Sequence, residues 1–389
     1  MNQASIAELR RRLNPDKRNP SILRGLYISA QGKVLSDFAL SVARLSQDDC
    51  EKYMALFRKV LTGTFGQNLI ETDFSAEETM ESESHERLMR LVSSGLTDED
   101  SVQSFYGDIL KYVEEIKDSR AQSVSEEQNA DNYLVLMLYD SFDVKYRTTD
   151  DSLSQELSEE VFGYMLCCVC PVKQEKPSLH YDGDDDAFHV RAADWAASAP
   201  ELGFLFPAYE DGGANISRLV YYTRDKAKMH DSFRSNVLHV EQRMSPAEQQ
   251  ETFQAVLQES LGEDCSLETV QAMQDTLNEK IKEQKSDKSA DPLTLTGHEV
   301  GQVLADCGVA QPRVEAFESL YTETFGEQAQ IPAVNMVSTG AMKVETPSVS
   351  IRVAPEHANL IETRVIDGRY YILVLADGDV EVNGMRVNG

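Results

Sequence analysis

Four short apolar runs limit what this chain can fold into more than any other feature: YLVLMLY (133–139), VFGYMLCCVC (161–170), LGFLF (202–206) and RLVYY (218–222). They are rich in aromatic and branched side chains, and their lengths suit strands buried on both faces or nearly so. Tyr181-Asp-Gly-Asp-Asp-Asp186 and Asp211-Gly-Gly213 supply turn chemistry between them, because Asp and Gly accept the backbone angles of tight turns. Burying such strands takes a long chain. With 389 residues, 41% of them hydrophobic, there is enough for two or three domains.

Helical signals surround the strands. Ser5-Ile-Ala-Glu8 reads as a capping box for a first helix that Pro15 stops. Residues 22–38 read as two strands joined by a Gly-containing turn, and Ser46-Gln-Asp-Asp49 caps a helix that Gly63 can end. Ser75-Ala-Glu-Glu78 and Thr97-Asp-Glu-Asp100 announce helices of roughly three turns, after which 118–131 reads as an exposed polar loop. Beyond the apolar runs, Ser245-Pro246-Ala-Glu248 opens a helical stretch, 285–292 is a polar linker, and Thr296-Gly-His-Glu299 and Pro312 start two more helices. The last fifty residues read as β. Asp367-Gly368 there gives the strongest hairpin signal, since a type I′ turn needs positive φ at both turn residues. The fold class expected is α+β: a mixed part with a central sheet at 1–240, a helical segment at 241–330, and an antiparallel β unit at 331–389. That last unit is a marginal core alone and is free to pack back on the first part.

Charge narrows the function classes. With 37 basic and 66 acidic residues the net charge is −29, which disfavours nucleic acid and anionic membranes as partners. No run approaches the roughly 18 apolar residues of a membrane helix, and the charged N-terminal segment is no signal peptide, so a cytoplasmic location is expected. One basic island stands out, formed by Arg10, Arg11, Arg12, Lys17, Arg18 and Arg24 against Glu8 and Asp16. These six are the candidate partner-binding or phosphate-contacting residues, although in a helix at most two of Arg10, Arg11 and Arg12 share a face.

Chemical motifs are sparse. Cys167-Cys-Val-Cys170 contains a C-x-x-C, but it ends an apolar strand where positions i and i+3 point to opposite faces, and no second ligand pair lies nearby. Buried cysteines acting as small hydrophobes are expected. Asp182 to Asp186 and Asp377-Gly-Asp379 fail the EF-hand pattern, with Ala187 and Val382 where Gly is required. Gly63-Thr-Phe-Gly66 lacks the lysine of a phosphate-binding loop. No cofactor or metal is expected, no catalytic residue can be named, and Trp195 reads as a core anchor.

Several segments resemble a bacterial family, domain of unknown function 4317. They are FRKVLTGTFGQNLIETDF (57–74), LCCVCPVKQEKPSLHY (166–181), GFLFPAYEDGGANISRLVYYT (203–223), ETFQAVLQESLGEDC (251–265) and ETRVIDGRYYILV (362–374). The resemblance spans essentially the whole chain and implies no activity. In layout alone, with FESLYTETFGEQAQIPAVNMV (317–337) between helices and terminal strands, the chain also resembles the bacterial nucleoid-associated proteins. The expected function is therefore a non-enzymatic interaction protein with a protein partner, and the nucleoid likeness adds a DNA-transaction role. The alternatives are an enzyme with a dispersed polar site, or a phage-response or stress factor acting through protein contacts. Oligomeric state is left open.

Overall fold

The computed structural model describes residues 1–16, 21–74, 83–121, 131–144, 160–191, 194–210, 212–240, 244–337, 342–376, 378, 380–382 and 384–387. The chain divides into two compact units: Met1–Ser245 with Lys288–Asp291, and Pro246–Asp287 with Pro292–Gly389. Both mix helix and strand, and the fold is α+β.

The first unit is built on an antiparallel sheet. Its strands are β1 (Ile22–Ile28), β2 (Val34–Ser41), β3 (Leu69–Asp73), β4 (Asn132–Val144), β5 (Glu160–Gln174), β8 (Trp195–Ala197), β9 (Leu202–Phe206) and β12 (Arg218–Thr223). The intervening strands are β6 (Ser178–Asp182), β7 (Ala187–Arg191), β10 (Ala208–Glu210) and β11 (Gly213–Asn215), paired as two separate hairpins. The order in the sheet is β2-β1-β4-β5-β9-β12-β3, with β8 also paired to β5. All four apolar runs are strands here, and β4 and β5 pair along their length from Asn132↔Val172 to Val144↔Glu160.

Helices cover both faces, as strands apolar on both sides require. One face packs α1 (Gln3–Arg12) and α2 (Gln47–Val60); the other packs α3 (Glu83–Ser93) and α4 (Glu99–Ala121). Side-chain alternation along β5 assigns Met165, Cys167 and Val169 to the α3/α4 face, and Tyr164, Leu166, Cys168 and Cys170 to the α1/α2 face. The three clustered cysteines are fully buried and split across the two cores, as the strand period predicts. Gly203 lets α2 lie close against the sheet. A Cβ there would stand 2.5 Å from the Cys167 carbonyl oxygen and 2.8 Å from Val60.

Two local expectations are corrected. The first helix begins earlier than Ser5, because the Asn2 side chain accepts from the Ser5 backbone N–H at 3.0 Å and caps it, Asn being as good an N-cap as Ser. Residues 118–121 continue α4 rather than opening a loop, and the capping signature at Ser75 to Glu78 lies outside the described residues.

The second unit has its own core of α5 (Pro246–Leu261), α6 (Leu267–Ser286), α7 (Gly297–Asp306) and α8 (Gln311–Phe325), centred on Phe253, Leu277, Val300, Leu304 and Phe317. Thr296 and Glu299 form a reciprocal capping box, and Gly326 ends α8 at φ +104°. A two-residue ladder, β13 (Thr294–Leu295) with β14 (Ile331–Pro332), closes this core. Three hairpins follow: β15 (Met342–Glu345) with β16 (Ser350–Val353), β17 (Ile361–Ile366) with β18 (Arg369–Val374), and β19 (Val380–Val382) with β20 (Met385–Val387). β17 and β18 pair in the expected register, turning at Asp367 (φ +51°) and Gly368 (φ +74°).

Candidate functional site

Among the described residues of the first unit, the most exposed apolar surface is the β6–β7 hairpin. Its register pairs Leu179 with Val190 and Tyr181 with Phe188, so the pleat puts all four on one face. They are 69%, 71%, 50% and 67% exposed, and the two aromatic rings meet edge to face at 5.5 Å. The opposite face is polar, carrying Ser178 and the pair His180 and His189.

The tip is acidic. Asp182 Oδ1 accepts from the Asp184 N–H at 3.0 Å, Tyr181 donates to Asp186, and His189 Nε2 lies 2.5 Å from Asp185. The bond to Asp186 raises the Tyr181 hydroxyl above its ordinary pKa. No lysine or arginine falls between 177 and 190 to neutralise the four carboxylates.

Trp195 stands on β8, opposite Gln174 of β5, and is half exposed. The core expectation for it is wrong. β8 is three residues long and among the described residues pairs only with the end of β5, which leaves Trp195 at the margin of the sheet.

Among the described residues of the basic island, Arg10, Arg11 and Arg12 lie on α1 and Arg24 on the other side of the sheet, so these four do not share one face. Arg11 and Arg12 both pair with Glu8, at 2.7 and 2.9 Å, and the Arg12 guanidinium lies 3.7 Å over the Phe142 ring. The hydrogen bond from Arg11, with the charge of Arg12, holds the Glu8 carboxyl below its ordinary range although burial works the other way. Arg24 is on the α3/α4 side of the sheet, where it donates to the Leu96 carbonyl at 3.1 Å and to Glu99 at 2.8 and 3.2 Å. Arg10 is exposed; Lys17 and Arg18 lie outside the described residues.

Next to α1 is a recess lined by Arg12, Asn14, Ser21 and Asp140, in which Ser21 and Tyr164 donate to the Asp140 carboxylate at 3.1 Å each. It offers about 10 Å³, room for roughly one water and none for a substrate.

Sequence reasoning missed a buried polar brace. The chain from Met229 to Val240 passes through a helical turn, Asp231–Phe233, and a π-helical turn, Arg234–Leu238, bounded by His230 and His239 at φ +50° and +51°. Tyr112 meets His230 Nδ1 at 3.3 Å, Arg87 donates to the Val237 carbonyl at 3.0 Å, and Ser84 donates to the Leu238 carbonyl at 3.2 Å. Burial, with Lys228 nearby, pushes the His230 imidazole down to about 4, so the ring that meets the Tyr112 hydroxyl is neutral near pH 7. Scattered single histidines gave no signal for this arrangement.

In the second unit a cleft of about 400 Å³ runs between α6 and α7, with Lys280, Glu283, Glu299 and Asp306 above Leu293 and Leu295. No serine, cysteine or histidine lines it. Among the described residues no group of three or more His, Cys, Asp or Glu side chains is placed to hold a metal ion, and no helix is long and apolar enough to cross a membrane.

No curated protein and no solved structure matches the chain. A family model does, from residue 1 to 385, and the expected resemblance to the nucleoid-associated proteins is not shown. The match takes in the sheet, both helical layers, the helical unit and the strands up to β19, so the chain belongs to the family described as a domain of unknown function (DUF4317).

Proposed function

We propose that the protein is a non-enzymatic interaction protein whose binding element is the β6–β7 hairpin, carried on the sheet of the first unit. One observation carries this reading: Leu179, Tyr181, Phe188 and Val190 stand on a single hairpin face, each at least half exposed. Contiguous apolar surface of this kind is costly in water and marks contact sites. A two-stranded hairpin is also only marginally stable alone, so a partner that covers it stabilises it.

The rival readings have less behind them. An enzyme needs a cavity that gathers reactive groups; the recess beside α1 holds about one water, and the cleft of about 400 Å³ between α6 and α7 is lined by Lys280, carboxylates, glutamines and apolar side chains with no serine, cysteine or histidine. A nucleic-acid face needs free cations on one side, whereas Arg11, Arg12 and Arg24 are engaged with Glu8 and Glu99 on two sides of the sheet. The test is a photo-crosslinking amino acid placed at Phe188 in the full chain, with Lys59 on α2 as an exposed control. A discrete protein adduct at Phe188 and none at Lys59 is expected. No adduct, or a nucleic-acid adduct, overturns the proposal.

A further inference from the structure

We infer that the segment docking on the β6–β7 hairpin belongs to another protein and is apolar along most of its length and basic at one end, an inference that rests on the hairpin being the binding element. The apolar face sets the first property. Leu179, Tyr181, Phe188 and Val190 form two cross-strand pairs, and covering them takes aliphatic or aromatic side chains spaced at the strand period of two. β6 and β7 pair only with each other among the described residues, so each also presents an outer edge whose N–H and C=O groups can bond an added strand.

The acidic tip sets the second property. Asp182, Asp184, Asp185 and Asp186 crowd the turn next to Tyr181 and Phe188, and among the described side chains His189 is the one cationic group that reaches one of them. A partner that buries the apolar face brings its end beside those carboxylates, where Lys or Arg is attracted and Asp or Glu repelled.

Charge also argues against a second copy of this chain as the occupant. Two chains of net −29 repel, and a two-fold pairing places the same acidic hairpin on both sides of the contact. Pairing of identical chains would strengthen as salt screens that repulsion, whereas docking of a basic segment weakens.

The experiment titrates the full chain into three labelled synthetic peptides and follows anisotropy at low and high salt. The first is a Val-Thr repeat ending in lysines, the second the same repeat ending in glutamates, and the third a Ser-Thr repeat ending in lysines. The first should bind at least about tenfold more tightly than either other, weaken with salt, and lose about tenfold both in Leu179→Ser/Phe188→Ser and in Asp184→Asn/Asp185→Asn. Equal binding of the lysine and glutamate peptides overturns the charge assignment and leaves the hairpin as the binding element. No binding of any peptide while a protein adduct still forms at Phe188 overturns the partner chemistry alone. Binding that survives both variants overturns the inference and the hairpin reading together, and self-association that strengthens with salt replaces the foreign segment with a second copy.

Discussion

At the scale of single residues, the buried thiols and two glycines give the sharpest expectations. Burial, reinforced by Cys170, drives the Cys167 and Cys168 thiols far above their ordinary pKa, so the reactive thiolate is scarce. Cys50, Cys167, Cys168 and Cys170 should resist alkylation in the native protein and react at full rate only on unfolding, with the half-buried Cys265 and Cys307 reacting first. Rapid native labelling of all six would contradict this. Gly203→Ala drives a methyl into the Cys167 carbonyl and Val60 and should cost about 2–3 kcal/mol in a denaturant melt, whereas Gly107→Ala, in α4 with open space around it, should add about 0.5–1 kcal/mol. Equal effects would show the two sites are not distinguished by packing. The cysteines were legible because the strand period alone assigns 167 and 168 to opposite faces. Trp195 was not, because a lone tryptophan among Ala, Asp and Ser has no periodic neighbours to say which side is inside.

At the scale of elements, local chemistry identifies the Ser46 and Thr296 caps and the Asp367-Gly368 turn but not the Asn2 cap or the exposed strands. The Thr296–Glu299 box and the Asp367-Gly368 turn follow from local rules that no distant contact overrides. Around β6 and β7 the Asp-Gly turn residues dominate the local signal, although SLHYD and AFHVR alternate polar and apolar with the strand period. Replacing Asp367-Gly368 with Val-Val should speed amide exchange across 361–374 at least about tenfold, because branched residues adopt positive φ at a cost of about 1–2 kcal/mol each. Asn-Gly should leave protection unchanged; protection surviving Val-Val would mean the turn does not set the pairing. Between α3 and α4, burial works to raise the Asp108 carboxyl, but hydrogen bonds and charge from Lys111 and Arg87 outweigh it and hold the group below its ordinary range. A folded value below the unfolded one stabilises fully above the unfolded pKa, near ~3.9, and that stability is lost as pH falls through the lowered value. Asp108→Asn should therefore flatten the acid limb of the stability curve and cost about 3 kcal/mol at pH 7, since it leaves Arg87 buried without its carboxylate. An unchanged acid limb would remove Asp108 from that account.

At the scale of the whole molecule, the α+β class was legible and the strand order was not. Apolar runs report burial on both faces, but nothing local in LIETD says that it pairs with 218–222 at the sheet's far edge, a contact set by chain closure over more than a hundred residues. The candidate site was unreadable for a related reason. The basic island drew attention by contrast with a chain of net −29, yet much of its charge is spent on Glu8 and Glu99, while the hairpin lay inside a segment read as turns. The central claim is that the β6–β7 apolar face binds a partner without contributing to the core that holds the fold. The direct measurement is the dissociation constant of the protein that crosslinks at Phe188, taken for wild type and for Leu179→Ser/Phe188→Ser, with a thermal melt of each. A loss of about a hundredfold in affinity is expected, the scale of about 2–3 kcal/mol for central anchors, with an unchanged melting temperature. Equal affinity in the variant, or a melt that falls with it, would contradict the claim.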